Sequence, residues 1–212
     1  MRLDHISYVA SHDQISDVVN RIGSQIGTAF VDGGIHPKFG TRNFTAPLLN
    51  GQYIEVVCPL DHPATDATPF GQAVKKKAAE GGGWMAWVIA IDNIKELEKH
   101  YGRKATEGKR QKPDGTELKW KQLGVKDILH NSQIPFFVEW ISDTHPSTDG
   151  VSFARLTDLV IYGDSNKALS NLVEISTLES KGFKINFVDT EPDFTGIKEI
   201  VFEVKGQKIK ID

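Results

Sequence analysis

Cysteine is almost missing from the 212-residue sequence: Cys58 is the only one. An intrachain disulfide and a cysteine-rich zinc site are therefore excluded, and a reducing, cytoplasmic setting is expected. Charge of one sign is missing too, with 25 Lys and Arg set against 28 Asp and Glu. That balance lacks the electrostatic footprint of a nucleic-acid or anionic-membrane binder, so neither partner is expected. The longest basic runs, Lys75-Lys76-Lys77 and Lys109-Arg110-Gln111-Lys112, are short and read as solvated surface. No apolar stretch approaches the roughly 18–20 residues of a membrane span, and Met1-Arg2-Leu3-Asp4-His5 does not open a signal peptide. What is present is ordinary globular material: 39% hydrophobic and 25% charged residues, enough apolar mass for a core in one domain or two small ones.

The pattern along the chain is β-α-β-β-β, and it repeats. Leu3 to Val9 alternates as a strand, with Leu3, His5, Ser7 and Val9 on one face. A helix follows from about Asp13, with Ser11 and Gln14 as a capping box and Gly27 as its stop. A short strand near Thr28 to Asp32 leads to a glycine-rich turn, Gly33-Gly34-Ile35-His36-Pro37, then to an extended stretch from Thr41 to Leu49. Asn50-Gly51 signals a two-residue hairpin into the strand Gln52 to Cys58, which places Glu55 opposite Ala46, on the face of Arg42 and Phe44. A linker over residues 61–83 carries one helix, capped by Thr68-Pro69. Strand-like Trp84 to Ile91, a helix starting near Asn93, a strand over Glu117 to Leu123 and the aromatic run Pro135 to Ile141 form a second unit, residues 84–145. A third, weaker pass over 150–212 has a strand at Leu156 to Tyr162, a helix from Ser165 to about Ile175 and three short β runs. The expected fold class is α+β, built from repeated βαβββ units that form curled mixed sheets.

The repeats share a signature. Tyr53-Ile54-Glu55-Val56-Val57 and Phe137-Val138-Glu139-Trp140-Ile141 each hold a lone Glu in an apolar strand that ends its unit. A carboxylate there is costly unless it is paired, protonated or bound to a cation. His5 on the first strand and His36 beside the paired glycines are the histidines that the repeat and the loop single out, with His145 as a further candidate.

His on a first strand and Glu on a fourth, with Gly33-Gly34-Ile35-His36-Pro37 and Gly40-Thr41-Arg42-Asn43, resemble the vicinal oxygen chelate superfamily, and within it the glyoxalase-like group. The resemblance implies that units 1–60 and 84–145 face each other as a cup, with a structural third unit covering an open sheet edge. It also implies a divalent metal (Zn, Ni, Mn, Fe or Mg) held by His5, Glu55 and Glu139. The sequence departs from the pattern at Ala86, where the family places a fourth ligand, a His. Glu139 and His36 are the candidate catalytic groups, and His36, Asn43, Arg42 and Trp84 the candidate substrate-binding ones.

Two functions follow from this reading. One is proton-transfer chemistry of the lyase or isomerase type on a small oxygen-rich organic molecule, supported by the metal. The other is binding or sequestration of such a molecule without metal or turnover. Because both units of the cup lie in one chain, either a monomer or a homodimer is expected, and dimerisation is not needed to complete the site.

Overall fold

The computed structural model describes residues 1–164, 182–188 and 195–212, together with Leu169, Val173, Leu178 and Glu179. The first unit contributes β1 (Arg2–Val9), α1 (Ile15–Ile26), β2 (Val31–His36), β3 (Thr41–Pro47) and β4 (Tyr53–Pro59). Helices α2 (Pro63–Ala67) and α3 (Pro69–Ala79) lead to the second unit. That unit comprises β5 (Gly83–Ala90), α4 (Lys95–Tyr101), β6 (Thr106–Gln111), β7 (Glu117–Leu123), α5 (Val125–Ile128) and β8 (Phe136–Trp140). Their eight strands close into a barrel in the order β1-β4-β3-β2-β6-β7-β8-β5. In each unit the first strand pairs in parallel with the fourth, β1 with β4 and β5 with β8, and β1 joins the halves by running antiparallel to β5.

Local signals set several boundaries. Thr68 caps α3 by accepting from the Gly71 amide, with Pro69 at the first helical position. Gly27 ends α1 in the left-handed conformation, φ 64°. Ser11 instead bonds Asp13 and Gln14, and α1 starts later than the capping box predicts, at Ile15, without a side-chain cap. The Gly33–Pro37 segment is a strand rather than a turn: Gly33 to His36 belong to β2, and the chain reverses over 37–40.

Two departures from simple alternation decide what faces the barrel interior. In β1 the register against β5 slips between Leu3 and His5, leaving Asp4 as the extra residue of a β-bulge. The bulge parts Leu3 from the face of His5, Ser7 and Val9: Leu3 joins the outer core with Ile6 and Tyr8, while Val9 packs inside. Between β3 and β4 the loop is five residues long, Leu48 to Gln52, because Pro47 already pairs with Tyr53. Glu55 therefore lies opposite Thr45 and shares its face with Asn43, not with Arg42. A two-residue turn would have reversed that parity.

After the barrel come β9 (Ala154–Tyr162), β10 (Lys184–Val188), β11 (Gly196–Val204) and β12 (Gln207–Ile211), a separate sheet in the order β10-β9-β11-β12. Its wiring differs from that of the other units, since β9 pairs with β10 and β11 and not with its last strand. Most of the helix expected from Ser165 lies outside the described residues. The barrel is closed, so this sheet has no open edge to cover. It packs instead on the barrel's outer face, where Leu156, Phe202 and Ile211 share one apolar core with α1, Trp84 and Trp87. Among the described residues no helix is long and apolar enough to cross a membrane.

Candidate functional site

Polar side chains that alternation turns inward meet at one end of the barrel. The cavity there is lined by His5, His36, Asn43, Tyr53, Glu55, Arg110 and Gln122 with the rings of Phe39, Phe70, Trp120, Phe136 and Trp140. Every one of these residues is buried except Trp140, which also borders a surface cleft beside Arg2, Asp92 and Glu139. The free space is about 30 Å³, and since a water needs roughly 10–15 Å³ on this measure, it suits a small guest.

Glu55 is the hub. One carboxylate oxygen, Oε2, accepts from Ser7 Oγ at 2.7 Å and the other, Oε1, from Asn43 Nδ2 at 2.7 Å. Burial alone would raise its pKa, but the fields of His5 and His36 and the bonds from Ser7 and Asn43 hold it below the ordinary glutamate value. His5 Nε2 lies 3.9 Å from Glu55 Oε2, and its ring stacks on Tyr53 at 4.4 Å between centroids.

Asp4 fixes the orientation of His5. The bulged carboxylate accepts from His5 Nδ1 at 2.9 Å, Trp140 Nε1 at 3.1 Å and His145 Nε2 at 3.1 Å, and pairs with Arg2 at 2.8 Å. Burial opposes its charge, but the hydrogen bonds from His145 and His5 outweigh it, and its carboxyl titrates well below the usual range. An ionised Asp4 takes a hydrogen bond from His5 Nδ1, so Nδ1 carries a proton and Nε2 is the nitrogen that faces Glu55 and the cavity. His36 Nδ1 is 2.9 Å from Thr41 Oγ1, and burial, with Arg110 opposing its charge, pulls its pKa down to about 4. It is a neutral imidazole at physiological pH.

Several sequence candidates lie elsewhere. Glu139 faces out of the barrel, because Phe136 and Val138 face in; its Oε2 accepts from the Ile94 amide at 3.1 Å at the start of α4. Trp84 is also outside, donating to the Ile211 carbonyl at 2.8 Å beneath the second sheet. Arg42 pairs with Asp32 and lies over the Phe44 ring. The cavity thus brings together His5, His36, Asn43 and Glu55 but not Glu139, Trp84 or Arg42.

Sequence reading also missed contributors. Asp4 and Tyr53 stood within strand motifs and Ser7 on the face of His5 without being assigned a role, Gln122 was not singled out, and Arg110 was hidden in a basic run. Alternation was the available signal for Arg110: in β6 Gly108 and Arg110 are buried between exposed neighbours.

The divalent ion that the resemblance implies does not suit this donor set. His5 Nε2 and Glu55 are adjacent, but Ala86 offers only a methyl group and Glu139 is outside. The Arg110 guanidinium lines the same cavity, and among the described residues no three His, Cys, Asp or Glu side chains converge as metal ligands do.

The family model described as glyoxalase-like domain matches residues 3–175. No curated protein matches the chain. Among solved structures, a hypothetical protein from Staphylococcus aureus is similar at TM-score 0.54 and 17% identity, over 99% of this chain and 84% of that one. Methylmalonyl-CoA epimerase from Mycobacterium tuberculosis is similar at TM-score 0.43 and 11% identity, over 65% of this chain and 85% of that one. The Streptomyces coelicolor epimerase, solved with 2-nitronate-propionyl-CoA, is similar at 0.43 and 13%, over 67% and 99%.

Proposed function

The chain belongs to the glyoxalase-like domain family of the vicinal oxygen chelate superfamily, and on that footing we propose a metal-independent site. A small oxygen-rich organic molecule enters the barrel, and Glu55 and His5 move a proton on it. The observation that carries this reading is the pairing of two groups able to take a proton: Glu55 Oε2 and His5 Nε2 stand 3.9 Å apart with no hydrogen bond between them. A ligand proton, on oxygen or on carbon beside a carbonyl, can pass to either. His5 accepts on Nε2 while Asp4 holds its other nitrogen. Neutral His36 offers a hydrogen bond from the cavity wall, and the aromatic lining excludes water.

Sequestration without turnover has one observation in its favour. Ser7, Asn43 and His5 hold Glu55 ionised with a lowered pKa, which makes it a weak base.

Proton NMR in D₂O separates these readings. Small carbonyl compounds such as hydroxyacetone, methylglyoxal and pyruvate are incubated with the protein, and exchange of their C–H signals is followed. Wild type is expected to accelerate exchange with or without a chelator, and Glu55→Gln to slow it at least 100-fold while ligand still binds. Binding without exchange would leave sequestration. Exchange that appears only on adding a divalent metal overturns the metal-independent site.

A further inference from the structure

We infer that the ligand carries a carboxylate and that Arg110 receives it. This deepens the proposed function and rests on the same cavity. Arg110 is 3% exposed, and its guanidinium lines the chamber. One nitrogen, Nη1, donates to the Gly33 carbonyl at 2.8 Å and to Asn43 Oδ1 at 2.6 Å, both neutral acceptors. Its Nε and Nη2 donors make no hydrogen bond to the described residues, and neither is among the buried atoms sealed away without a partner, so both retain open space. No carboxylate among the described residues is within ion-pair distance of it. A buried cation joined to the ionised Glu55 only through Asn43 has no direct ion pair, and an arriving anion would supply one.

The surroundings are shaped for the guanidinium. A Cβ at Gly33 would lie 1.9 Å from Arg110 Nη1 and 2.1 Å from Asn43 Oδ1. Gly33 has no positive φ, so an alanine there is excluded by these side chains and not by its backbone. Gly33 thus makes room for a charge.

Shape favours a carboxylate over a phosphate. The unused edge of the guanidinium is a flat two-donor fork that matches a planar carboxylate. A tetrahedral phosphate dianion matches that planar edge less well and would bring two negative charges, where a carboxylate brings one, into the chamber that holds Glu55. Asn43 sets the spacing, accepting from Arg110 on one side and donating to Glu55 on the other. Arg110 shares its chamber with Glu55 and His5, so an acid small enough to enter it and to present a proton beside a carbonyl or on a hydroxyl is a short 2-oxo or 2-hydroxy acid.

Titration calorimetry on the full chain tests this with pyruvate, glyoxylate and lactate against pyruvamide, lactamide and inorganic phosphate. Wild type is expected to bind the acids at least tenfold more tightly than the amides. Arg110→Gln should erase that preference. So should Gly33→Ala, which keeps the cation but displaces it, and provides the test if the Arg110 variant fails to fold. Amides binding as tightly as acids, phosphate binding more tightly than either, or acid binding unchanged in both variants would each overturn the inference. Glu55-dependent exchange of hydroxyacetone with no acid preference overturns the carboxylate alone. Arg110-dependent acid binding without exchange supports it and removes only the proton transfer.

Discussion

The two halves of the barrel are built on one plan and filled with opposite chemistry. In the first unit the parallel pair β1 and β4 turns inward His5 beside Tyr53 and Ser7 beside Glu55. In the second unit the pair β5 and β8 turns inward Val88 beside Phe136 and Ala90 beside Val138. One half supplies acceptors held by hydrogen bonds; the other supplies wall. The second half adds polar groups only from its middle strands, Arg110 on β6 and Gln122 on β7. The shared strand plan sets the frame, and the asymmetry of the lining makes the site. A metal held symmetrically by both units needs donors from both, and the second unit has apolar side chains where they would stand.

The sharpest way to break this comparison is to disable the polar half at its anchor. Asp4 touches no part of the cavity's free space, so it is a positioning residue. Asp4→Asn replaces a charged acceptor that serves His5, Trp140 and His145. An Asn can offer its amide to His5 Nδ1 and turn the imidazole to the wrong tautomer, an effect worth roughly 10²- to 10⁴-fold in a comparable Asp–His pair. The expected result is a collapse of C–H exchange with a shifted pH profile, while the Arg110-dependent preference for acids persists. A purely structural Asp4 would lower both together. The stability cost is about 3 kcal/mol, read by denaturant titration.

The second prediction concerns pH. His36 is fully buried, and its pKa falls from 6.5 to about 4 in the folded chain. The unfolded chain therefore binds the extra proton between those values, and stability is complete above pH 6.5 and declines as pH falls toward 4. The shift corresponds to about 3 kcal/mol. Glu55 and Asp4 act in the same direction at lower pH, because both are held below their ordinary values. Melting temperatures of wild type should fall between pH 6.5 and 4.5, and those of His36→Gln should fall less. Equal slopes would place the acid sensitivity elsewhere.

The repeat, the β-α-β-β-β succession of the first unit and the cavity-lining residues His5, His36, Asn43 and Glu55 were legible because alternation and glycine placement leave marks in sequence. What was not legible turned on single-residue parity. The Asp4 bulge and the five-residue loop after Pro47 each shift a face by one position, and nothing in composition announces either. Arg110 was hidden because a basic run reads as solvated when its strand is not recognised. The second sheet has the expected succession of strands, but its wiring depends on long-range pairing that no local pattern encodes.

Glu139 is the smallest test and the most direct one of that parity argument. Its motif matches the Glu55 strand by eye, yet the match is one residue out of step: Phe136 and Val138 face inward and Glu139 faces outward. Its carboxylate accepts from the Ile94 amide where α4 begins, beside Asn93, whose side chain accepts from Lys95. Lys121 lies 3.9 Å away, at a partly exposed site where ion pairs contribute little. Glu139→Gln keeps an acceptor for the amide and removes only the charge near the helix start, so the expected loss is under about 1 kcal/mol. Acid binding and C–H exchange should be unchanged in this variant, measured beside Glu55→Gln on the same day with the same compounds. A loss of exchange in Glu139→Gln comparable to that in Glu55→Gln would mean that the outer carboxylate reaches the chemistry. The two halves of the barrel would then share it.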